Sequence, residues 1–412
     1  MLFFIARLVR HGEICYLPHF IQKQADAGIL RSEEVVTERE ALIALNRVSG
    51  LGAITVKRMA ERFGSLAAVF DVSESDLLSV PGIGAERAHQ FYGEFKRVRF
   101  EDELEKAAHK GVKLVTWVDE GYPTLLKQIA DPSLVLYVAG SVEALDGPAV
   151  AVIGTRRPTV YGRETARRFG FQLAGAGYVV VSGLASGIDT EAHTGAVQAK
   201  GRTVAVLGGA LDCLFPKENA GLAREIVANG GAVISEYPFG RQPDRQTFPM
   251  RNRIVSGLSK GVLVVEAPGT SGTLITVNQA LDQNRVVMAI PGRIDSPASQ
   301  GCHKLLREGA RLVTTLDDVI EEIHDLMAGM QRQVDKAKRA NADVSDVRPE
   351  CVLTAEERAV LAQVEVEGTP VDVLVRGSGL DAGQVNALLV GLQIKRQIRL
   401  LPGGRVARGR SG

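Results

Sequence analysis

Four segments rich in glycine and hydroxyl side chains each follow a run of β-branched residues and lead towards a helix-like stretch. They read VIGTRRPTVYGRE, VSGLASGID, VLGGALDCLFPKEN and EAPGTSGTLIT. Small residues at a helix start leave backbone N–H groups unpaired, and the helix dipole favours an anion there. The sequence therefore predicts a row of anion sites. The candidate residues in these segments are Thr155, Arg156, Ser182, Gly183, Ser186, Lys217, Asn219, Gly272 and Thr273.

A further segment, FPMRNRIVSGLSKG, precedes the last of these loops and adds Arg251, Asn252 and Arg253. A single anion loop would be typical of a bound nucleotide. Several loops that converge with Arg156 and Lys217 favour a polyanion instead, such as single-stranded nucleic acid. Because phosphate contacts carry no base information, we expect a single-stranded DNA-binding site with little sequence preference.

Common catalytic motifs are missing from the sequence. It contains no GxxxxGK[ST], HExxH or GxSxG pattern, and the glycine after AVAVI is followed by TRRP rather than by a GxGxxG pattern. Asp189 and His193 stand four residues apart and could form an acid–base pair, although a structural pair at a helix start is the favoured interpretation. We therefore predict a protein that is not an enzyme and that has no catalytic residue, cofactor or metal.

Nine short apolar runs recur between about residues 112 and 316 and must position these loops. They read KLVTWV, LVLYVAG, AVAVIG, YVVVSG, TVAVLGG, AVISEY, GVLVVEA, RVVMAIPG and RLVTT. Runs that are apolar throughout and alternate with helices predict parallel strands covered on both faces. We expect an α/β domain over residues 101–326, with an extended Rossmann-like, doubly wound and mostly parallel sheet.

Residues 38–100 read as short helices separated by two similar glycine turns, Gly50-Leu51-Gly52 and Gly82-Ile83-Gly84. Glycine permits positive φ and a close backbone approach. The pattern predicts a helix-hairpin-helix, SAM-like domain. Because these hairpins lack lysine, a packing or protein-contact role is favoured over a grip on DNA phosphates. Residues 1–37 form an N-terminal extension to which the sequence assigns no role.

The C-terminal part of the chain predicts a linker and a second small domain. Residues 327–350 are polar and charged, which is typical of a linker. Residues 351–412 predict a winged helix, with a capping box formed by Thr354 and Glu357 and two strands around a Pro-Gly-Gly turn. After Asp381 the chain has six basic residues and no acidic one, so contact with duplex DNA or with a protein partner is expected.

Overall composition limits the function classes. The 412 residues include 49 basic and 48 acidic side chains, which excludes a uniformly basic DNA coat but allows a local basic groove. Aromatic residues make up 5%, so a platform for base stacking must be small. Four separated cysteines without a CxxC pair suit a reducing cytosol. No signal peptide or stretch of about 20 apolar residues is found, so we predict a cytoplasmic protein without a membrane partner.

Six long segments within residues 112–316 resemble, in order, the DNA-processing protein A family, also called DprA or Smf. The segments are VIGTRRPTVYG, SGLASGIDTEAH, VLGGALDCLFPKEN, SEYPFGRQPDRQTFPMRNRIVSGLS, VVEAPGTSGTLIT and IPGRIDSPASQGCHKLLREGA. The resemblance implies a homodimer that binds and protects incoming single-stranded DNA. It also implies that the protein loads RecA recombinase onto this DNA in natural transformation, during competence, and in recombination.

The same resemblance suggests roles for individual residues. The family's DNA-pocket arginine falls on Arg156 and its lysine on Lys217, while Arg251 and Arg253 match the family's FPxRNRxISGLS segment. Thr155 stands where the family usually has serine, which preserves the hydroxyl group.

Two other functions are alternatives. PGTSGTLIT also resembles the PGGxGTxxE loop of nucleotide-binding phosphoribohydrolases, but Leu274, Ile275 and Thr276 stand where those enzymes place acidic residues. Without a carboxylate there, hydrolysis of an N-glycosidic bond lacks its general acid or base. A regulator that binds duplex DNA through the winged helix is the other alternative, although such a regulator does not need the large core.

A dimer interface is expected near the end of the core, in GCHKLLREGARLVTT. Leu305 and Leu306 are adjacent, so they point to different faces of a helix and at least one could be exposed. The alternative is that both leucines are core residues.

Overall fold

The computed structural model describes residues 36–269, 271–324, 354–365, 368–394, 397–401 and 405–408. The predicted extension lies outside the described residues except for residues 36 and 37, and the predicted linker over 327–350 lies wholly outside them. The chain divides into two compact units, Met1–Leu326 and Met327–Gly412, which are described separately below.

Each of the nine apolar runs forms a strand of one sheet in the described part of the first unit. The order across the sheet is β1-β2-β6-β5-β4-β3-β7-β8-β9. All neighbours from β6 to β9 are parallel, whereas β2 is antiparallel to both β1 and β6. The strands are β1 Lys113–Thr116, β2 Val135–Gly140, β3 Ala149–Ile153, β4 Val179–Ser182, β5 Thr203–Val206, β6 Ala232–Ser235, β7 Gly261–Val264, β8 Val286–Ala289 and β9 Arg311–Leu312.

Helices cover both faces of this sheet, as the continuous apolar runs require. Residues of α6, α10, α11 and α12 pack on one face, and residues of α7, α8, α9 and α13 pack on the other. The helices are α6 Thr124–Lys127, α7 Val160–Gly175, α8 Ile188–Gln198, α9 Ala220–Ala228, α10 Thr247–Gly257, α11 Thr273–Asp282, α12 Gln300–Arg307 and α13, which begins at residue 316 and is described as far as residue 324. The predicted Rossmann-like, mostly parallel architecture is confirmed.

The strand order reverses between β3 and β7. From β3 the chain continues through α7 to β4 on one side, while β7 lies against the other side of β3. In open α/β sheets a crevice forms at such a switch point, outside the carboxyl ends of the strands. The predicted loops therefore meet at one edge of the sheet.

The N-terminal helices form the predicted pair of helix-hairpin-helix repeats. Gly50 and Gly82 have φ of +73° and +89°, which favours glycine, and each hairpin leads into a long helix. Arg58 donates to Pro81 O at 2.9 Å and Arg87 donates to Gly50 O at 3.0 Å, so each repeat binds a carbonyl of the other hairpin. The helices are α1 Glu38–Leu45, α2 Ala53–Phe63, α3 Glu74–Leu77, α4 Ala85–Phe95 and α5 Phe100–His109.

The second unit has the predicted winged-helix elements. Thr354 and Glu357 form the expected capping box at the start of α14. The three strands pair in the order β10-β12-β11, and the predicted Pro-Gly-Gly turn between β11 and β12 lies outside the described residues. The elements are α14 Ala355–Ala362, β10 Thr369–Pro370, α15 Val371–Ser378, α16 Ala382–Ile394, β11 Ile398–Leu401 and β12 Arg405–Arg408.

Candidate nucleic-acid interface

A cleft of about 380 Å³ opens at the switch point. It lies between the loops after β3, β4 and β7 and the first turns of α10 and α11, and we call it the switch-point cleft. A smaller recess of about 20 Å³, lined by Ser186 and Phe215, opens beside it and shares its Arg156 and Arg251 walls. The predicted site residues that line the larger cleft are Thr155, Arg156, Gly183, Arg251, Asn252, Gly272 and Thr273.

Glu266 fixes both ends of the loop that carries Arg156. Its backbone carbonyl accepts from Thr155 N at 2.8 Å. Its carboxylate, which is 2% exposed, accepts from Thr159 N at 2.9 Å and from Thr159 Oγ1 at 2.5 Å. A Cβ on Gly162 would lie 2.2 Å from this carboxylate, so only glycine fits there. The negative charge lies beside the start of α7, where the helix dipole favours it.

Two aromatic rings lie beside Arg156. The guanidinium carbon of Arg156 is 5.2 Å from the centroid of the Phe248 ring, within cation–π range. The rings of Phe248 and Phe215 are 6.0 Å apart between centroids, and Phe215 is 51% exposed. Our sequence analysis missed both aromatics, although Phe215 directly precedes the PKEN run and Phe248 begins the FPMRNR segment.

Arg251 places a positive charge in the wall of the cleft. The side chain is buried, and its Nη1 donates to Gly183 O at 2.6 Å and also to Val206 O. A Cβ on Gly183 would lie 2.5 Å from the guanidinium, which explains the glycine. Burial lowers the pKa of Arg251 to about 10 against the opposing effect of Asp189, so the side chain remains charged at neutral pH. Within the described residues its Nε has no hydrogen-bond partner.

Asp189 holds the loop after β4. Its carboxylate accepts from Gly183 N at 3.1 Å and from Ala185 N at 3.4 Å. Burial raises the pKa of this carboxyl group, while the nearby Arg251 opposes the increase. His193, one turn further along α8, is directed to Thr203 Oγ1 at 2.7 Å. Both side chains therefore bind groups of the protein itself, as the structural interpretation of this pair expects.

In three of the loops, some backbone N–H groups are already bound within the protein. Asp189 binds two N–H groups after β4, and Glu266 binds that of Thr159 after β3. At the start of α11, Thr273 N donates to Ser271 Oγ at 3.2 Å and Ile275 N donates to Gly272 O at 3.1 Å. The side chains of Arg156 and Arg251 also bring positive charge to the cleft.

Three predicted DNA-contact residues instead bind groups inside the protein. Ser182 Oγ donates to Val152 O at 2.7 Å, and Asn219 Nδ2 donates to Leu184 O at 2.8 Å. Arg253 pairs with Glu236 at 2.6 Å and with Asp131 at 3.1 Å. Because these polar groups are already bound and none lines the cleft, we correct the three assignments to supporting roles. The residues concerned are Ser182, Asn219 and Arg253.

The remaining predicted residues lie at the rim or outside the site. Ser186 Oγ donates to Glu218 at 3.1 Å, and Lys217 is exposed in the turn that follows Phe215 and Pro216. In α12, Leu305 is only 6% exposed and packs in the core, so it is not a surface residue, whereas Leu306 is partly exposed. Leu306 also packs against the same core cluster, so the alternative that both leucines contribute to the core is favoured, with only Leu306 partly at the surface.

Two properties concern the described residues as a whole. None of their helices has the length and apolarity that crossing a bilayer requires. Among these residues, no group of three or more histidine, cysteine, aspartate or glutamate side chains is arranged to hold a metal ion.

Comparison with known families gives three matches along the chain. Residues 113–324 match the model of DNA recombination-mediator protein A, and residues 344–404 match the DprA winged helix domain. Residues 42–97 match the SAM-like helix-hairpin-helix tandem. The matches follow the order of the helical, Rossmann-like and winged-helix parts.

Individual relatives agree with these matches. Protein Smf of Synechocystis sp. is 33% identical over 395 residues, which cover 90% of this chain and 99% of the relative. DNA processing protein DprA of Streptococcus pneumoniae is 44% identical over 205 residues, which cover 50% of this chain and 72% of the relative. The X-ray structure of DprA from that organism covers 70% of this chain and 98% of its own, with 34% identity and a TM-score of 0.60.

Proposed function

The chain belongs to the DNA recombination-mediator protein A family, and from this premise we propose that it acts in DNA processing during recombination by binding single-stranded DNA. The observation that carries the proposal is the convergence of Arg156 and the buried Arg251 on the switch-point cleft. Two guanidinium groups on one cleft form a strong site for phosphate, because each offers several donors in a fixed plane.

The aromatic pair beside the cleft supports a single-stranded ligand. Phe215 and Phe248 lie next to Arg156, and Phe215 exposes half of its surface. In a duplex the bases are stacked inside and their faces are inaccessible, whereas an unpaired base can stack on an aromatic ring. Cationic groups next to aromatic rings are typical of single-strand binding without sequence preference.

The experiment measures the affinity of the purified chain for short single-stranded oligonucleotides at several salt concentrations. Arg156→Ala and Lys217→Ala should each weaken binding and reduce the slope of log K against log salt by about 0.7, the value for one phosphate contact with a single strand. Lys127→Ala, which removes an exposed charge on α6, is the control and should bind like the wild type. If the Arg156→Ala/Lys217→Ala variant bound as tightly as the wild type at moderate salt, the assignment of the DNA-binding site to this cleft would be overturned.

We propose binding rather than chemical turnover at this cleft. The two buried carboxylates beside it, Asp189 and Glu266, accept hydrogen bonds from backbone N–H groups of neighbouring loops. A carboxylate held in this way stabilises the loops and is poorly placed to move a proton on a ligand. Release of a base or a sugar from a nucleotide, abolished by one substitution in the chain, would show that an enzyme is present after all.

For partners, we propose protection of incoming single-stranded DNA and loading of RecA recombinase, with a homodimer as the active form. The support is membership of the recombination-mediator family together with the proposed single-strand site. The test follows RecA assembly on single-stranded DNA already covered by a single-strand binding protein. The wild type should shorten the lag before assembly, and Arg156→Ala should lengthen it again. An unchanged lag with the wild type would reject the loading role.

A further inference from the structure

The exposed side of α7 combines basic with aromatic and apolar side chains. Val160 is 72% exposed, and Tyr161 and Phe171 are each 49% exposed. The opposite side of the helix is buried, with Ala166, Phe169 and Leu173 packed in the core. The basic residues on the exposed side are Arg163, Arg167 and Arg168, and Arg157 lies in the loop just before the helix.

Three of these four arginines form no ion pair within the described part of the chain, although the exposed Glu164 on the same side of the helix offsets part of their charge. Arg167 pairs with Glu191 at 2.6 Å. Among the described residues, Arg157, Arg163 and Arg168 have no carboxylate within 4 Å. The guanidinium of Arg168 instead lies 5.4 Å from the Phe169 ring. The helix therefore presents unpaired positive charge beside exposed rings.

This exposed side begins near the loop that lines the switch-point cleft. Arg157 directly follows Arg156, and α7 begins three residues later. At 1.5 Å per residue the 16 residues of α7 extend about 24 Å away from the cleft edge. Arg163 and Arg168 are about 7.5 Å apart along the axis, with Phe171 about one turn beyond them. A strand held at Arg156 and leaving over Arg157 would thus cross the exposed side of α7, which Arg163 and Arg168 flank about 140° apart around the helix axis.

We propose that the exposed side of α7 binds the segment of single-stranded DNA that leaves the cleft, an inference that rests on the proposed function of the cleft. Charge complementarity identifies a polyanion as the occupant. The exposed Tyr161 and Phe171 favour a single strand over a duplex, because only unpaired bases offer their faces for stacking. A protein partner on the apolar members of the same surface is the alternative that the experiment must separate.

The experiment compares two lengths of single-stranded DNA, one that fills only the cleft and one several nucleotides longer. Arg163→Gln/Arg168→Gln should bind the short strand like the wild type. Its affinity for the longer strand should fall, and its salt slope should decrease by about 1.4, for two phosphate contacts. Lys127→Gln/Lys260→Gln removes the same charge from other parts of the domain and should leave both affinities unchanged.

A second variant tests the aromatic contribution. Phe171→Ala removes a half-exposed ring, so the fold should tolerate it, and it should weaken binding of the longer strand by about fivefold with an unchanged salt slope. Wild-type affinity of both α7 variants for the longer strand would overturn the inference, as would an equal loss in the control variant. The proposed function of the cleft is tested separately. If Arg156→Ala did not weaken binding of the short strand, that function itself would be rejected.

Discussion

His193 illustrates how a buried polar side chain determines a pH dependence. Its Nδ1 lies 2.7 Å from Thr203 Oγ1, whose own proton is donated to Val180 O at 2.6 Å. The histidine must therefore donate from Nδ1, which leaves Nε2 unprotonated and, within the described residues, without a partner. Burial, with a smaller effect of Arg251, lowers the pKa of His193 from 6.5 to about 3. The folded protein thus holds this imidazole neutral.

This shift predicts a loss of stability in mild acid. Below about pH 6.5 the unfolded chain binds a proton at His193 that the folded protein does not bind, so the free energy of unfolding falls as pH decreases towards 3. The contribution of one such group is about 1.4 kcal/mol per pH unit. Urea unfolding between pH 7 and 4 should show this slope in the wild type and a smaller slope in His193→Gln. Equal slopes in the two proteins would contradict the prediction.

At the residue scale, the sequence identified residues that line the cleft but could not show which side chains are already bound inside the protein. Arg156 and Arg251 were predicted from their positions after a strand and in a basic segment, and both line the cleft. Ser182 bonds to a carbonyl 30 positions away, and Arg253 pairs with a carboxylate 122 positions away. Such distant partners leave no local signal, so only the fold shows that these side chains are already occupied.

At the element scale, α10 is held from two directions. On one side, Gln279 and Gln283 of α11 donate to Pro249 O and Arg253 O, each at 3.0 Å. On the other side, the Arg253 side chain pairs with Glu236 and Asp131. Arg251 therefore occupies a fixed position before any ligand arrives, which reduces the entropy that binding would cost.

We predict that the proposed homodimer pairs through the β9 edge and α12. β9 is the last strand of the sheet, so its outer backbone groups are unpaired within the described residues, and an edge of this kind can pair with another chain. Leu312 on this strand is 57% exposed, and Leu306 of α12 is partly exposed. Leu305 packs against the sheet instead.

This geometry predicts different outcomes for three leucine substitutions. Leu312→Glu should give a folded monomer, because a charge on the exposed edge opposes pairing without disturbing the core. Leu306→Glu should also oppose pairing but lower stability somewhat, because Leu306 packs partly against the core. Leu305→Glu should unfold the domain, because it buries a carboxylate in the apolar interior. Light scattering and circular dichroism distinguish the cases, with Leu281→Glu, a leucine also 57% exposed, as the control. If both surface variants remained dimeric, this edge would not be the interface.

At the scale of the whole molecule, the apolar runs and turn residues predicted the order of the elements better than the direction in which neighbouring strands pair. Continuous apolar runs separated by helices predicted each strand of the parallel part, because burial on both faces leaves a strong signal. The antiparallel direction of β2 could not be predicted, because it depends on the route of the connection rather than on the strand residues. The winged helix was predicted from Thr354 and its capping partner, together with the turn residues between its last strands.

The winged-helix unit is expected to add a second DNA contact. Its last 31 residues contain six basic side chains and no acidic one. Arg405 and Arg408 bind backbone carbonyls of their own domain, whereas Arg399 is exposed and available to a phosphate. Because this unit is connected to the core by the chain, even a weak contact raises the overall affinity for a ligand that reaches both sites.

Deleting residues 351–412 should therefore leave the affinity for short oligonucleotides nearly unchanged and lower it for long strands and for DNA with a duplex region. A short strand fills only the switch-point cleft and gains nothing from a second site, whereas a long strand loses the effective concentration that the tether provides. The salt slope for long DNA should also decrease, since fewer phosphates are contacted. Equal losses on short and long DNA would instead indicate that the unit supports the structure of the core. If neither affinity changed, the basic end would be better explained by contact with a protein partner.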